Sequence, residues 1–182
     1  MTTKKEIKNN NTKVNESLVE WDDEDDEDTL ANKYLCFKLS NEEYGIAIRH
    51  IIEIIELQKI TEVPDMPGFV RGVINLRGKV IPVIDLRLRF HILEREYDDR
   101  TCIIVIHIDE TLIGLIVDTV DEVLLISGDN IEEAPKFSST STKDRYVEGL
   151  AKVGETVKII LDVEKILYEK DLSVLKEEMS EV

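Results

Sequence analysis

Beyond Tyr34 the apolar residues fall into short runs of Val, Ile and Leu, interrupted every few positions by turn-forming residues. YLCFKL and YGIAI flank SNEE, CIIVIHI and TLIGLIV flank Asp109-Glu110, and GLAKV and TVKIILDV flank Gly154-Glu155. Runs this short and this rich in β-branched residues predict a succession of hairpins. GVINLRGKVIPVIDL, residues 72–86, is a fourth, with Arg77-Gly78 at its tip. Pro82 within it predicts an edge strand or a bulge, because proline has no N–H for a ladder. Helix is scarce by comparison. Ile48, Ile51, Ile52 and Ile55 stand at i, i+3, i+4 and i+7, which predicts one or two amphipathic turns. Val163, Ile166 and Leu167 predict a further helix that starts after Asp162 as its cap, with residues 169–182 as a C-terminal helical tail.

The chain also repeats itself. FVRGVINLRGKVIPVIDL from Phe69 lies over YVEGLAKVGETVKIILDV from Tyr146, an offset of 77, and aligns Gly72 with Gly149 and Asp85 with Asp162. YGIAIRHIIEII from Tyr44 lies over IGLIVDTVDEVL from Ile113, an offset of 69, and aligns Gly45 with Gly114 and Glu53 with Glu122. Two alignments in the same order predict a duplicated unit, with the extra residues in the polar connection GDNIEEAPKFSSTSTKD. Each copy supplies about four or five strands, which suits a small closed barrel, since closure removes exposed edges. The expected fold class is therefore all-β with short helices, as two small barrels side by side: barrel one at about 33–100 and barrel two at about 101–168. The seam between them is a natural place to bind a partner.

Residues 1–32 lack this pattern and end in a block in which positions 22–28 are all acidic. Such a block repels itself, which predicts a disordered, solvated tail. Trp21 beside it reads as an exposed tail residue or as an anchor for a basic partner. The formal charge of −16 disfavours nucleic acid and anionic membrane surfaces. Cys36 and Cys102 sit inside apolar runs and are expected as reduced thiols, and no apolar stretch has the length of a membrane span. A cytoplasmic protein is expected.

Candidate chemistry is thin. His50, His91 and His107 are isolated, and His107, in an apolar strand, reads as a structural histidine. No phosphate-binding loop, nucleophile elbow or metal motif occurs, so no cofactor, metal or catalytic residue is expected. Asp85, Asp118 and Asp121 form the only imaginable acid/base set, and strand ends favour Asp for local turn bonding instead. Arg77 fits either a solvated side chain or a recognition group, and Glu53 either the wet face of a short helix or a partner contact.

EEYGIAI, the segment ending in EII, FVRGVINLRGKVIPVIDLRLRF, IGLIVDTVDEV, APKF, YVEGL and VKIILDVEKIL together resemble the CheW family of bacterial chemotaxis coupling proteins. The resemblance spans about residues 34–168, and GVINLRG followed by VIPVIDLR is its most specific part. It implies two five-stranded barrels and a non-catalytic adaptor. Its partners would be the regulatory domain of a CheA-type histidine kinase, the cytoplasmic tips of chemoreceptors and other CheW-like copies in rings, at membrane-associated arrays. A scaffold for another kinase-linked pathway, such as surface motility, is the alternative. By matched position, Ile51 and Gly72 resemble kinase-facing sites, and Glu53, Ile54, Arg77, Cys102 and Ile103 resemble positions near the receptor groove. Ile51, Ile54 and Ile103 equally suit a core, Gly72 a backbone requirement and Cys102 the start of a strand.

Overall fold

The computed structural model describes residues 30–135, 146–167, 177 and 180. Trp21, the acidic block and nearly all of the expected C-terminal tail lie outside these residues. Leu30 and Ala31 form a helical turn that leads into the first strand.

The expected hairpins are present. β1 (Lys33–Leu39) pairs with β2 (Glu42–Ala47), β4 (Val70–Leu76) with β5 (Lys79–Asp85), β6 (Cys102–Ile108) with β7 (Thr111–Val117), and β10 (Val147–Val153) with β11 (Thr156–Leu161). Between them run β3 (Ile51–Glu56), β8 (Thr119–Leu125) and the two-residue β9 (Ile131–Glu132). Helix α1 (Leu86–Arg89) follows β5, and α2 (Val163–Ile166) follows β11. Asp85 and Asp162 cap them, each carboxylate accepting the N–H two residues on.

The duplication is visible in detail. The β4–β5 register shifts between Val70 and Gly72, and the β10–β11 register between Val147 and Gly149. The Asp85 N–H donates to the Phe69 carbonyl, and the Asp162 N–H to the Tyr146 carbonyl, at 2.9 and 2.8 Å.

The two sheets, however, do not divide at residues 100/101. Sheet one has the order β8-β1-β2-β11-β10-β9, and sheet two the order β3-β6-β7-β5-β4. Each sheet takes one hairpin from each copy, joined by parallel pairing of β2 with β11 or of β7 with β5. The exchange is made at two crossings: a single 3-10 turn, Ile48–His50, between β2 and β3, and Asp118 alone between β7 and β8. Each sheet also curls toward its far edge. Thr61, just beyond β3, pairs with Val73 of β4, and β9, just beyond β8, pairs with β10.

Two expectations need correction. Ile48–Ile55 is not an amphipathic helix, because Ile51–Glu56 is an extended strand with half-buried Ile51, Glu53 and Ile55 alternating with exposed Ile52, Ile54 and Glu56. Isoleucine is β-branched and prefers the pleated backbone. Of the two readings of Pro82 the edge does not hold, because β5 lies between β4 and β7, while the β4–β5 register does shift beside it, opposite Val83 and Ile84, and the ladder to β7 begins at Val83.

The core has three layers. Ile103, Val105, Ile74, Ile81, Val83 and Ile116 fill sheet two, while Tyr34, Ala47, Ile126, Ala151 and Ile160 fill sheet one. Between the sheets lies a larger cluster that includes Phe37, Tyr44, Ile104, Ile106, Leu115 and Phe90. Strand β6 thus sends Ile103 and Val105 one way and Ile104, Ile106 and Ile108 the other. Burial on both faces is why CIIVIHI reads as a continuous apolar run.

Candidate protein-binding surface

The β4–β5 hairpin turns through Arg77 and Gly78, with φ of 49° and 86°. Positive φ at both central residues makes the tight turn whose twist matches that of the strands it joins. The Gly78 N–H donates to Asn75 Oδ1 at 2.8 Å, which fixes the turn from its own strand. The left-handed region suits glycine, and the second copy has Gly154, φ 60°, at the matching position. An arginine there runs against the backbone preference, so the turn alone does not call for it.

That side chain reaches β3. Arg77 Nη1 and Nη2 donate to Glu53 Oε1 and Oε2 at 2.5 and 2.7 Å, a bidentate pair between residues 24 apart in sequence. The hydrogen bond from Arg77 holds the Glu53 carboxyl below its ordinary value, and the same bond pushes the guanidinium up. Glu53 is 22% exposed and Arg77 75%, so the guanidinium is oriented on one side and open to solvent on the other. On the opposite face of β3 from Glu53, Ile52 and Ile54 are 55% and 44% exposed, and Val80 on β5 is also exposed. β3 is the outermost strand of its sheet, where natural proteins ordinarily place polar or charged residues. An oriented charge at the tip, and uncovered isoleucines on the outer face of the same edge strand, are both features of protein contacts.

The structure sorts the seven expected contact residues. Glu53 and Arg77 meet, and Ile54 is exposed on the opposite face of β3. Ile51 begins β3 half-buried against the inter-sheet cluster. Cys102 begins β6 opposite Glu56, half-buried, and burial raises its thiol pKa, which keeps it protonated. Ile103 is fully buried, so its side chain belongs to the core of sheet two. Gly72 is buried as well: a Cβ there would lie 2.1 Å from the Thr61 carbonyl oxygen, and φ is +142°. That glycine lets β4 pass against the returning chain, which is a requirement of the backbone.

The three aspartates are apart in role. Asp85 caps α1 and accepts from the Tyr97 hydroxyl at 2.7 Å, and Asp118 is held by Arg87, whereas Asp121 lies exposed 4.0 Å from Lys38. His107 is exposed rather than built into the core. Among the described residues no group of three or more His, Cys, Asp or Glu side chains is placed to hold a metal ion. Sequence reasoning overlooked Ile52, Val80 and the Arg87–Asp118 pair. The apolar residues on both faces of HIIEIIE were the available signal for the first.

A CheW-like domain profile matches residues 33–171. The chain is 36% identical to the chemotaxis protein CheW of Klebsiella aerogenes over 148 residues, covering 81% of this chain and 89% of that protein. It is 36% identical to the chemotaxis protein CheW of Bacillus subtilis over 135 residues, covering 74% and 86%. The crystal structure of the scaffolding protein TtCheW from Thermoanaerobacter tengcongensis superposes with a TM-score of 0.70 at 37% identity, covering 78% of this chain and 90% of that one. With family profile, relatives and fold in agreement over the same span, the chain belongs to the CheW family.

Proposed function

We propose that this protein is a chemotaxis adaptor that couples chemoreceptors to a CheA-type histidine kinase through contacts alone. The observation that carries the reading is the Arg77–Glu53 pair at the tip of sheet two, on a strand whose opposite face leaves Ile52 and Ile54 uncovered. Arg77 and Glu53 face the receptor, joined by Ile54 and the rim of β6 at Cys102. Ile51 lies toward the kinase side of the same sheet. Membership of the CheW family and the likeness to a scaffolding protein support the same reading. Receptor states that favour one arrangement of adaptor and kinase shift the kinase by their difference in affinity, and the adaptor transforms nothing. It acts on the cytoplasmic side of receptor arrays.

The test is retention of a receptor cytoplasmic fragment and a CheA-type regulatory domain by the full chain, with Arg77→Ala as the variant. Ternary assembly is expected to weaken about tenfold, the loss of a charged contact at the centre of an interface, while the melting temperature holds. An assembly midpoint unchanged by the substitution would remove Arg77 from the contact. Retention of a motility-linked kinase in place of the chemotaxis kinase would shift the pathway while keeping the adaptor.

A further inference from the structure

The two crossings between the sheets carry the same charges in opposite order. At the crossing from β7 to β8, the Asp118 carboxylate accepts from Arg87 Nε at 2.7 Å and Nη2 at 2.5 Å, and from the Ser40 amide at 2.8 Å. Its own N–H donates to the Lys38 carbonyl at 3.2 Å. Arg87, on α1, gives its remaining Nη1 to the Leu93 carbonyl at 2.6 Å. Both side chains are buried. Arg87 continues β5 of sheet two, whereas Lys38 and Ser40 belong to the first hairpin of sheet one, so a single ion pair spans both sheets.

The other crossing is its counterpart in the repeat. Arg49 stands 69 positions before Asp118, and Glu164 stands 77 positions after Arg87, the same two offsets that align the copies. There the basic group is on the crossing and the acidic group on the helix. Arg49 and Glu164 line an open cavity of about 160 Å³ together with His50, Glu148 and Asp162. One junction is closed by a buried bidentate pair, and its twin is hollow.

We infer that Arg87 and Asp118 are the positioning pair that ties sheet two to the first hairpin of sheet one, leaving the Arg49–Glu164 junction as the compliant side of the molecule. A planar guanidinium gripped on two edges fixes orientation as well as distance. Arg95 Nη1 lies a further 3.9 Å from Asp118 Oδ2, but Arg87 has no second carboxylate in ion-pair range among the described residues, so releasing it would strand a buried guanidinium and the junction favours one arrangement. Resting on the adaptor reading, the consequence is directional: a shift imposed at Arg77 and Glu53 on sheet two reaches sheet one through Arg87–Asp118.

The experiment uses the full chain, with Asp118→Asn, Arg87→Lys and, as a control at the hollow junction, Glu164→Gln. Amide hydrogen exchange by NMR should accelerate about tenfold or more at Ser40 and Asp118 in the first two variants, the sign of local opening. The β6 amides Ile103–Ile106 should stay protected in both, and the control should leave both regions unchanged. With a receptor fragment and a kinase regulatory domain, each binary Kd should stay within about twofold. The factor by which one partner changes the affinity for the other, about 5-fold or more in a coupled system, should fall toward one. Exchange that rises evenly over both sheets, or that does not rise at all, would overturn the proposal. So would a coupling factor that survives Arg87→Lys. If the unsubstituted protein binds neither partner, the adaptor reading fails, and the exchange pattern still decides the inter-sheet role.

Discussion

Truncating Ile103 to alanine separates its core role from an interface role. The side chain is fully buried among Ile74, Leu76, Ile81, Val83, Val105 and Ile116. Removing most of a buried isoleucine costs about 2–5 kcal/mol, so about 3.5 kcal/mol is the central expectation. For a chain of this length each kcal/mol moves the melting temperature by about 2–4 °C, which gives a fall of about 7–14 °C. The structure supplies an internal check, because a Cβ on Gly114 would lie 2.8 Å from Ile103 Cγ2. Gly114→Ala alone overpacks the site and should cost about 1–3 kcal/mol. In the Ile103→Ala background that Cγ2 is gone and the new methyl group enters the vacated space, so the double variant should be more stable than the sum by about 1 kcal/mol or more. Urea and thermal unfolding of the four proteins measure the cycle, and partner binding well below the melting point should remain within about twofold. A loss under about 1 kcal/mol on Ile103→Ala, or strict additivity with Gly114→Ala, would show that the side chain does not fill sheet two.

Gly72→Ala should be among the most damaging single substitutions. Its methyl group would meet the backbone of Thr61, which has no flexible end to move aside, so the Thr61–Val73 bridge must break, read as a melting temperature lower by about 10 °C or more or as loss of soluble protein. Acid should also weaken the fold through Asp118. Burial alone would raise its carboxyl, but hydrogen bonds from Arg87 and the Ser40 amide more than offset this and hold it below the ordinary value. The unfolded chain therefore takes up the proton first, and the contribution is present above about pH 4 and lost as pH falls through the lower folded value. Urea midpoints between about pH 3 and 6 should fall less steeply in Asp118→Asn than in the parent protein.

What the sequence made legible was local. The hairpins, the Asp162 cap and the duplication follow from turn residues and matched spacings, which each segment carries by itself. What it hid was set by distant contacts. HIIEIIE imitates a helical stripe because its strand places isoleucine on a buried face and on an uncovered one, and only burial separates a strand of that kind from a helix. The exchange of strands between copies turns on one 3-10 turn and one aspartate, too little chain to leave a pattern. Arg77 and Glu53, like Arg87 and Asp118, become partners only after the sheets are assembled. Gly72 and Ile103, contact positions by resemblance, also meet requirements of closure and packing that only the folded chain displays.

Comparison of the copies separates fold from recognition. At buried positions they agree: the same register shift at Gly72 and Gly149, the same carbonyl taken by Asp85 and Asp162, and a glycine at Gly45 and Gly114 that leaves room for a side chain of an adjoining strand. At two exposed apolar positions they agree too, for Ile54 and Val80 of sheet two correspond to Val123 and Val157 of sheet one and all four are uncovered, although Ile52 is matched by Asp121. Both sheets thus offer apolar area to a partner. They part at the tip, where sheet two has Arg77 gripped by Glu53 and sheet one has Gly154 with no side chain at all. Apolar area supplies affinity with little discrimination, whereas an oriented guanidinium favours partners with an acceptor in one place and penalises those without. An adaptor that must hold two different proteins without confusing them needs that asymmetry, and a duplicated fold reaches it by changing the one residue at which its backbone preferred glycine.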